Sequence, residues 1–227
     1  RMHPAGPLRG ALDAPASKSV TNRVLIMAAL ATGASALTDP LDSDDSRVMR
    51  AGVQALGAEV TGADGMWKVT GTGGAPRSPA QPLHAGLSGT TARFLTAVLP
   101  LTERGGVVDG LPPLRRRPIA PLADALRALG ADVHPTGDGL PVRVGPGGLD
   151  GGTVDVDVSG SSQFASALLM VAPYARADVV CRVRGRSAVD YITLTAALMN
   201  EWGAEVTTDD GGATWRVRAG SGYRARS

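Results

Sequence analysis

The chain has 227 residues, 43% of them hydrophobic, with 30 Gly, 16 Pro and only 4% aromatic residues. That length and apolar content suffice to bury a core built mainly from Ala, Val and Leu, in short elements joined by many tight turns. A formal charge of +2 excludes the polycationic surface of a general nucleic-acid binder, and the single Cys181 excludes an internal disulfide. No apolar run reaches the roughly 18 residues that a membrane-spanning helix needs. The first residues lack the charged-then-apolar pattern of a signal peptide, so the expected setting is cytoplasmic, with neither nucleic acid nor membrane as partner.

In chain order, "PASKSVTNR" (15–23) stands directly before "VLIMAALATG", a helical pattern hydrophobic nearly all round and therefore expected to be buried on every side. "SALTDPL" predicts a short strand. "LDSDDSR" predicts a helix start capped by one of Asp42, Asp44 and Asp45. "SRVMRAGVQAL" predicts an outer helix stopped by Gly57, and "EVTGADGMWKVTG" a hairpin. The order then recurs. "LSGTTAR" opens the buried helix "RFLTAVLPLTERG", followed by strand "GGVVDGL", an outer helix in "RRRPIAPLADALRAL" with Pro118 suited to its first turn, and hairpin "DVHPTGDGLPVRVG". "SGSSQF" opens "QFASALLMVAP", followed by strand "DVVCRVRG" with Cys181 on its buried face, outer helix "AVDYITLTAALMNEW" and hairpin "EVTTDDGGATWRVRAG".

The outer-helix glycines Gly57, Gly130 and Gly203 stand 73 residues apart both times, which marks an internal repeat. The predicted fold is α/β: a pseudo-threefold domain of three βαβαββ repeats with buried parallel helices, each repeat taking its first strand from the residues just before its buried helix. Parallel packing would gather three helix N-termini, with their unpaired N–H groups and partial positive charge, into one seat for anions. Lys18, one of only two lysines against many arginines, supplies a compact ammonium at the first tip. Arg23 and Arg93 lie just inside their helices, where a cation opposes the dipole unless an anion is near. Arg117 is the binding candidate of the run Arg115–Arg117, Arg115 and Arg116 reading as a solvated face, and Asp45 is a candidate at the mouth of the site.

"PASKSVTNR", "LSGTTARF", "RRRPIAPLADALRALGA" and "SGSSQFASALLM", in that order and spacing, resemble the enolpyruvyl transferases, most closely the branch that uses shikimate 3-phosphate. The resemblance covers essentially the whole chain. It implies one lobe of a two-lobed enzyme: 13–221 as three repeats (about 13–74, 75–148 and 149–221), with 1–12 and 222–227 at the hinge. It implies attack of a shikimate-3-phosphate hydroxyl on the central carbon of phosphoenolpyruvate, protonation of the methylene, and loss of phosphate. No metal or organic cofactor is implied. The proton-moving carboxylates would belong to the missing C-terminal lobe, so this lobe alone would not turn over, and the full-length enzyme would be a monomer.

Carried over by position, Lys18, Ser19, Arg23, Ser161, Ser162, Gln163 and Ser187 are implied to bind shikimate 3-phosphate. Lys18, Gly89, Thr90, Arg117 and Gln163 are implied to bind phosphoenolpyruvate. Lys18 would act in catalysis with Asp45 as a lesser candidate, and Arg93 would be structural. The sequence departs from the family pattern at "RSAVDYI", where Asp190 replaces a usual proline and the usual serine is either Ser187 displaced by one residue or absent, and at Leu87 and Ser88, where Asn and Ala are frequent. The related UDP-N-acetylglucosamine branch has a reactive cysteine near "GLPPLRRRP" and a Lys-Asn pair in its first motif; here no cysteine is there and Ser19 follows Lys18. Two other classes remain open: an RNA-binding module using Arg115–Arg117, and a non-catalytic repeat scaffold that binds anions or nothing.

Overall fold

The computed structural model describes residues 10–11, 14–63, 65–185 and 189–226. The first repeat contains α1 (Lys18–Leu30), β1 (Ala34–Thr38), α2 (Asp44–Ala55), β2 (Glu59–Thr61) and β3 (Met66–Thr70). The second contains β4 (Leu83–His84), α3 (Gly89–Val98), β5 (Gly106–Asp109), α4 (Pro112–Arg115), α5 (Ala120–Ala128), β6 (Val133–Thr136) and β7 (Gly139–Val144). The third contains β8 (Gly152–Asp157), α6 (Gln163–Val171), β9 (Val179–Arg184), α7 (Val189–Glu201), β10 (Val206–Asp209) and β11 (Thr214–Val217).

Each repeat forms its own sheet, in the orders β1-β3-β2, β4-β5-β7-β6 and β8-β9-β11-β10. In the second and third, the strand before the inner helix pairs in parallel with the strand after it, β4 with β5 and β8 with β9. The first sheet departs from the expectation. Residues 14–17 lead straight into α1 as unpaired chain, and the parallel neighbour of β1 comes from the far end of the sequence. Thr32 donates to the Tyr223 carbonyl, Ala225 to that of Thr32, and Ala36 to that of Arg226, at 3.1, 3.1 and 2.8 Å. Pro15 lacks the N–H a ladder needs. The segment expected at a hinge, 222–227, is thus knitted into the first sheet over 223–226.

The inner helices α1, α3 and α6 form the core. Every residue of α3 is buried, as is α6 from Phe164 to Val171. Their equal orientation follows from which ends meet. At the starts, Gln163 of α6 donates through Nε2 to Thr90 of α3 at 2.9 Å, and Arg23 of α1 donates through Nη2 to Ser166 of α6 at 3.1 Å. At the other end, Tyr174, just past α6, donates its hydroxyl to the carbonyl of Leu30, the last residue of α1, at 2.8 Å. Pro100 and Pro173 tighten the ends of α3 and α6 into single 3-10 turns.

The outer helices bury one stripe each, Met49 and Val53 on α2, Leu122, Ala125 and Leu126 on α5, and Ile192, Ala196 and Met199 on α7. Gly52 lets α2 press on α3, since a Cβ there would lie 2.5 Å from a Leu95 methyl. Two local expectations change. The cap of α2 is Ser43, not an aspartate: its Oγ accepts from the Ser46 N–H while the Ser46 hydroxyl accepts from the Ser43 N–H, a reciprocal box that a short serine completes locally. Pro118 precedes α5 instead of opening it, because Ile119 and Ala120 both donate to the Asp138 carbonyl at the β6–β7 turn, and Pro121 occupies the first turn.

Candidate anion site at the inner-helix tips

The tips are linked in a chain of polar contacts. Lys18 Nζ, half exposed, lies 3.0 Å from Asp45 Oδ2 in the first turn of α2. The Asp45 carbonyl accepts from the Thr91 hydroxyl of α3 at 3.4 Å. Beside it, Thr90 accepts from Gln163, whose Oε1 accepts from Arg93 Nη1 at 2.5 Å. Arg93 also donates to Ser161 Oγ at 3.5 Å and through Nη2 to the Pro118 carbonyl at 3.0 Å. One arginine thereby ties the starts of α3 and α6 to the loop that carries Arg117.

Gly89 is the centre of this arrangement. A Cβ at Gly89 would lie 3.0 Å from Arg117 Nη1 and 3.2 Å from Arg93 Nη1, so two guanidiniums flank the first residue of α3. No carboxylate pairs with either among the described residues, although Arg115 is held by Asp109 through bonds of 2.8 and 2.6 Å. The backbone N–H groups of Gly89 and Thr90 have no acceptor among the described residues; Ser88 spends its hydroxyl on Thr91 N–H at 3.2 Å. Two like charges beside two donors without an acceptor among the described residues, at a helix start, make this a candidate anion seat. Burial, and then the charge of Arg117, bring Arg93 down to about 10, which still leaves it protonated at neutral pH.

Arg23 occupies the equivalent place in α1, with a different outcome. Arg23, Arg93 and Gln163 recur 70 residues apart, and each arginine stacks on the phenylalanine that follows the next member: Arg23 over Phe94 at 5.5 Å and Arg93 over Phe164 at 4.7 Å. The Arg23 guanidinium is enclosed. It donates to Thr195 Oγ1 at 2.6 Å, Ser166 Oγ at 3.1 Å and the carbonyls of Ser19 and Tyr191 at 2.9 and 3.4 Å. Burial brings it down to about 10 as well. The structure therefore puts Arg23 under the tip of α1, in contact with Ser19 and not at the surface.

The other expected residues divide in two. Lys18, Ser19, Gly89, Thr90, Arg117, Ser161 and Gln163 all stand at or beside the tips. Ser162 is buried and makes no side-chain cap; Ser161 Oγ instead accepts from the Gln163 N–H at 3.2 Å. Ser187 lies outside the described residues. Sequence reasoning missed Tyr191, which is 46% exposed and whose ring lies 5.6 Å from the Arg23 guanidinium carbon; an aromatic in the first turn of an outer helix was the available signal. Cys181 is buried as expected, its thiol pushed up to about 12 by desolvation. A cavity of about 440 Å³ opens at the opposite end of the bundle beside Tyr174, Arg218 and Arg224.

Three repeated units, two of them βαβαββ and the first taking its parallel neighbour from residues 223–226, with inner-helix starts gathered beside Arg93 and Arg117, define a lobe of the enolpyruvyl transferase type. The sequence model of EPSP synthase (3-phosphoshikimate 1-carboxyvinyltransferase) matches residues 2–225, and the chain belongs to that family. It is 43% identical over 222 residues to the 3-phosphoshikimate 1-carboxyvinyltransferase of Pseudomonas syringae pv. syringae (strain B728a), covering 96% of this chain and 53% of that one. Against the enzyme of the same name from Shewanella sp. (strain ANA-3) it is 41% identical, covering 98% and 54%. An EPSP synthase structure from Acinetobacter baumannii superposes with a TM-score of 0.86 at 26% identity, over 96% of this chain and 48% of that one. The chain spans about half the length of these relatives. No helix among the described residues is long and apolar enough to cross a membrane.

Proposed function

We infer that this lobe binds shikimate 3-phosphate and phosphoenolpyruvate at the inner-helix tips, as half of an enzyme that transfers the enolpyruvyl group between them and releases phosphate. The observation that carries this reading is the couple Arg93 and Arg117 converging on Gly89 with no carboxylate partner among the described residues. Phosphoenolpyruvate offers that couple a phosphate and a carboxylate. Lys18, kept at the rim by Asp45, neutralises charge on the same ligand as the hydroxyl oxygen of shikimate 3-phosphate attacks its central carbon and a proton reaches the methylene. Ser19, Ser161, Ser162 and Gln163 hold the second phosphate and the hydroxyls. Arg23 acts from beneath, fixing the Ser19 turn and the Tyr191 backbone. The work of all these groups is orientation and electrostatic stabilisation in a seat from which water is excluded on closure, and turnover requires the remaining half of the family's length.

Calorimetric titration of the purified chain tests this. Binding of shikimate 3-phosphate that weakens roughly tenfold or more in Lys18→Ala, the loss of one charge-assisted hydrogen bond of about 1.5–3 kcal/mol, agrees with it. Unchanged affinity removes Lys18 from the site, and no heat with either ligand refutes the reading.

A further inference from the structure

Asn22 is wholly buried in α1, and neither its Nδ2 nor its Oδ1 has a hydrogen-bond partner among the described residues. It is the one buried side chain there with both polar atoms unpaired. An unmade hydrogen bond in a closed interior is costly, because the group has surrendered water and received nothing. Such a group calls for a physical reason.

The threefold repeat removes one reason. In the 70-residue register set by Arg23, Arg93 and Gln163, the places equivalent to Asn22 are Ala92 in α3 and Ser162 in α6. All three are buried. The same fold therefore accepts an alanine there, and packing alone does not require an amide in α1.

Position supplies another. Asn22 lies one turn inward of Lys18 and one turn outward of Ile26, on one face of the helix. Ile26 faces Val53 of α2 and Val98 of α3 across a small apolar gap, and Lys18 pairs with Asp45 of α2. By helical spacing Asn22 belongs to the same face of α1 as Lys18, which pairs with α2, and Ile26, which faces α2 and α3, one turn below the ion pair at the rim. The hydroxyls nearby in sequence and structure are already engaged: Thr21 accepts from Leu41 N–H, Ser46 donates to the Leu41 carbonyl, and Thr91 reaches Ser88 and the Asp45 carbonyl.

We propose that Asn22 is a positioning residue for the α1 tip: its amide is unpaired in the ligand-free lobe and gains hydrogen bonds when a bound anion draws Lys18 and the first turn of α1 into their working place against α2 and α3. The inference rests on reading the tips as the seat of shikimate 3-phosphate. Its physical content is linkage. A penalty present only in the free state raises the free energy of that state, and its relief on binding adds to affinity.

This predicts effects of opposite sign. Asn22→Ala, the residue of the second repeat, should raise the melting temperature of the ligand-free chain by about 2–4 °C and weaken shikimate 3-phosphate binding about fivefold. Asn22→Ser, the residue of the third repeat, should move both in the same directions by less. A lowered melting temperature in both variants overturns the proposal, since the amide is then satisfied in the free lobe, by an enclosed water or otherwise. A raised melting temperature with unchanged affinity overturns the coupling and leaves the proposed function intact. If the parent chain itself binds no shikimate 3-phosphate, the proposed function fails, and the coupling to it fails as well.

Discussion

Arg23 and Arg93 occupy the same place in successive repeats, each stacked on the phenylalanine of the next, yet one is enclosed and the other is half of a charged couple. Four protein acceptors, from Thr195, Ser166, Ser19 and Tyr191, surround Arg23. Arg93 shares the Gly89 seat with a second guanidinium and has no carboxylate among the described residues. What distinguishes them is the neighbouring loop, whose run Arg115–Arg117 brings a second guanidinium to Gly89 beside Arg93. Under the proposed function the roles expected from the sequence are exchanged: Arg23 ties the fold together from beneath, and Arg93, a repeat later, is offered to the ligand.

The largest effect should come from breaking the tie. Arg23→Ala leaves the Thr195 hydroxyl without its donor, removes one of the two donors to Ser166 and opens a gap beside Phe94, so we expect a loss of about 3 kcal/mol or more in urea unfolding. Arg93→Ala should cost roughly half of that in stability and instead abolish most anion affinity. Equal losses of stability would erase the distinction. Arg117→Ala, at an exposed side chain, should weaken phosphoenolpyruvate binding roughly tenfold or more while shifting the melting temperature by no more than about 2 °C. Its failure to affect binding would detach the arginine run from the seat.

The pH dependence sharpens the contrast further. Burial lowers both arginines to about 10, well below the usual arginine range. Below that value folded and unfolded chains are both protonated, and folding carries the cost of burying the charge. Above it the folded chain releases protons that the unfolded chain still binds, so this contribution favours folding as pH rises. Anion affinity should run the other way, flat between pH 8 and about 9 and falling as Arg93 loses its proton near 10. The smallest effect should be Phe94→Leu, which removes the aromatic face under Arg23 and costs about 1 kcal/mol, with anion affinity unchanged.

The sequence reveals the 73-residue repeat because its signals are local: a glycine ending each outer helix, then a turn between alternating residues. It reveals the polar tips for the same reason. The 70-residue register of Arg23, Arg93 and Gln163 is only half visible, since the two arginines match but Gln163 does not, and the stacking on Phe94 and Phe164 completes it. The parallel neighbour of β1 is hidden too, because it pairs Thr32 with Arg224 across nearly the whole chain, and no local pattern encodes such a closure. Ser43 outcompeted three aspartates as the α2 cap through a bond partner, Ser46, that only the folded turn brings into place.

The most direct test of the account is where a small anion settles in crystals of this chain soaked in inorganic phosphate. The account predicts density beside Gly89, within hydrogen-bonding reach of Arg93, Arg117 and the N–H groups of Gly89 and Thr90. Phosphate found only at the other end of the bundle, in the cavity beside Tyr174, Arg218 and Arg224, would contradict it.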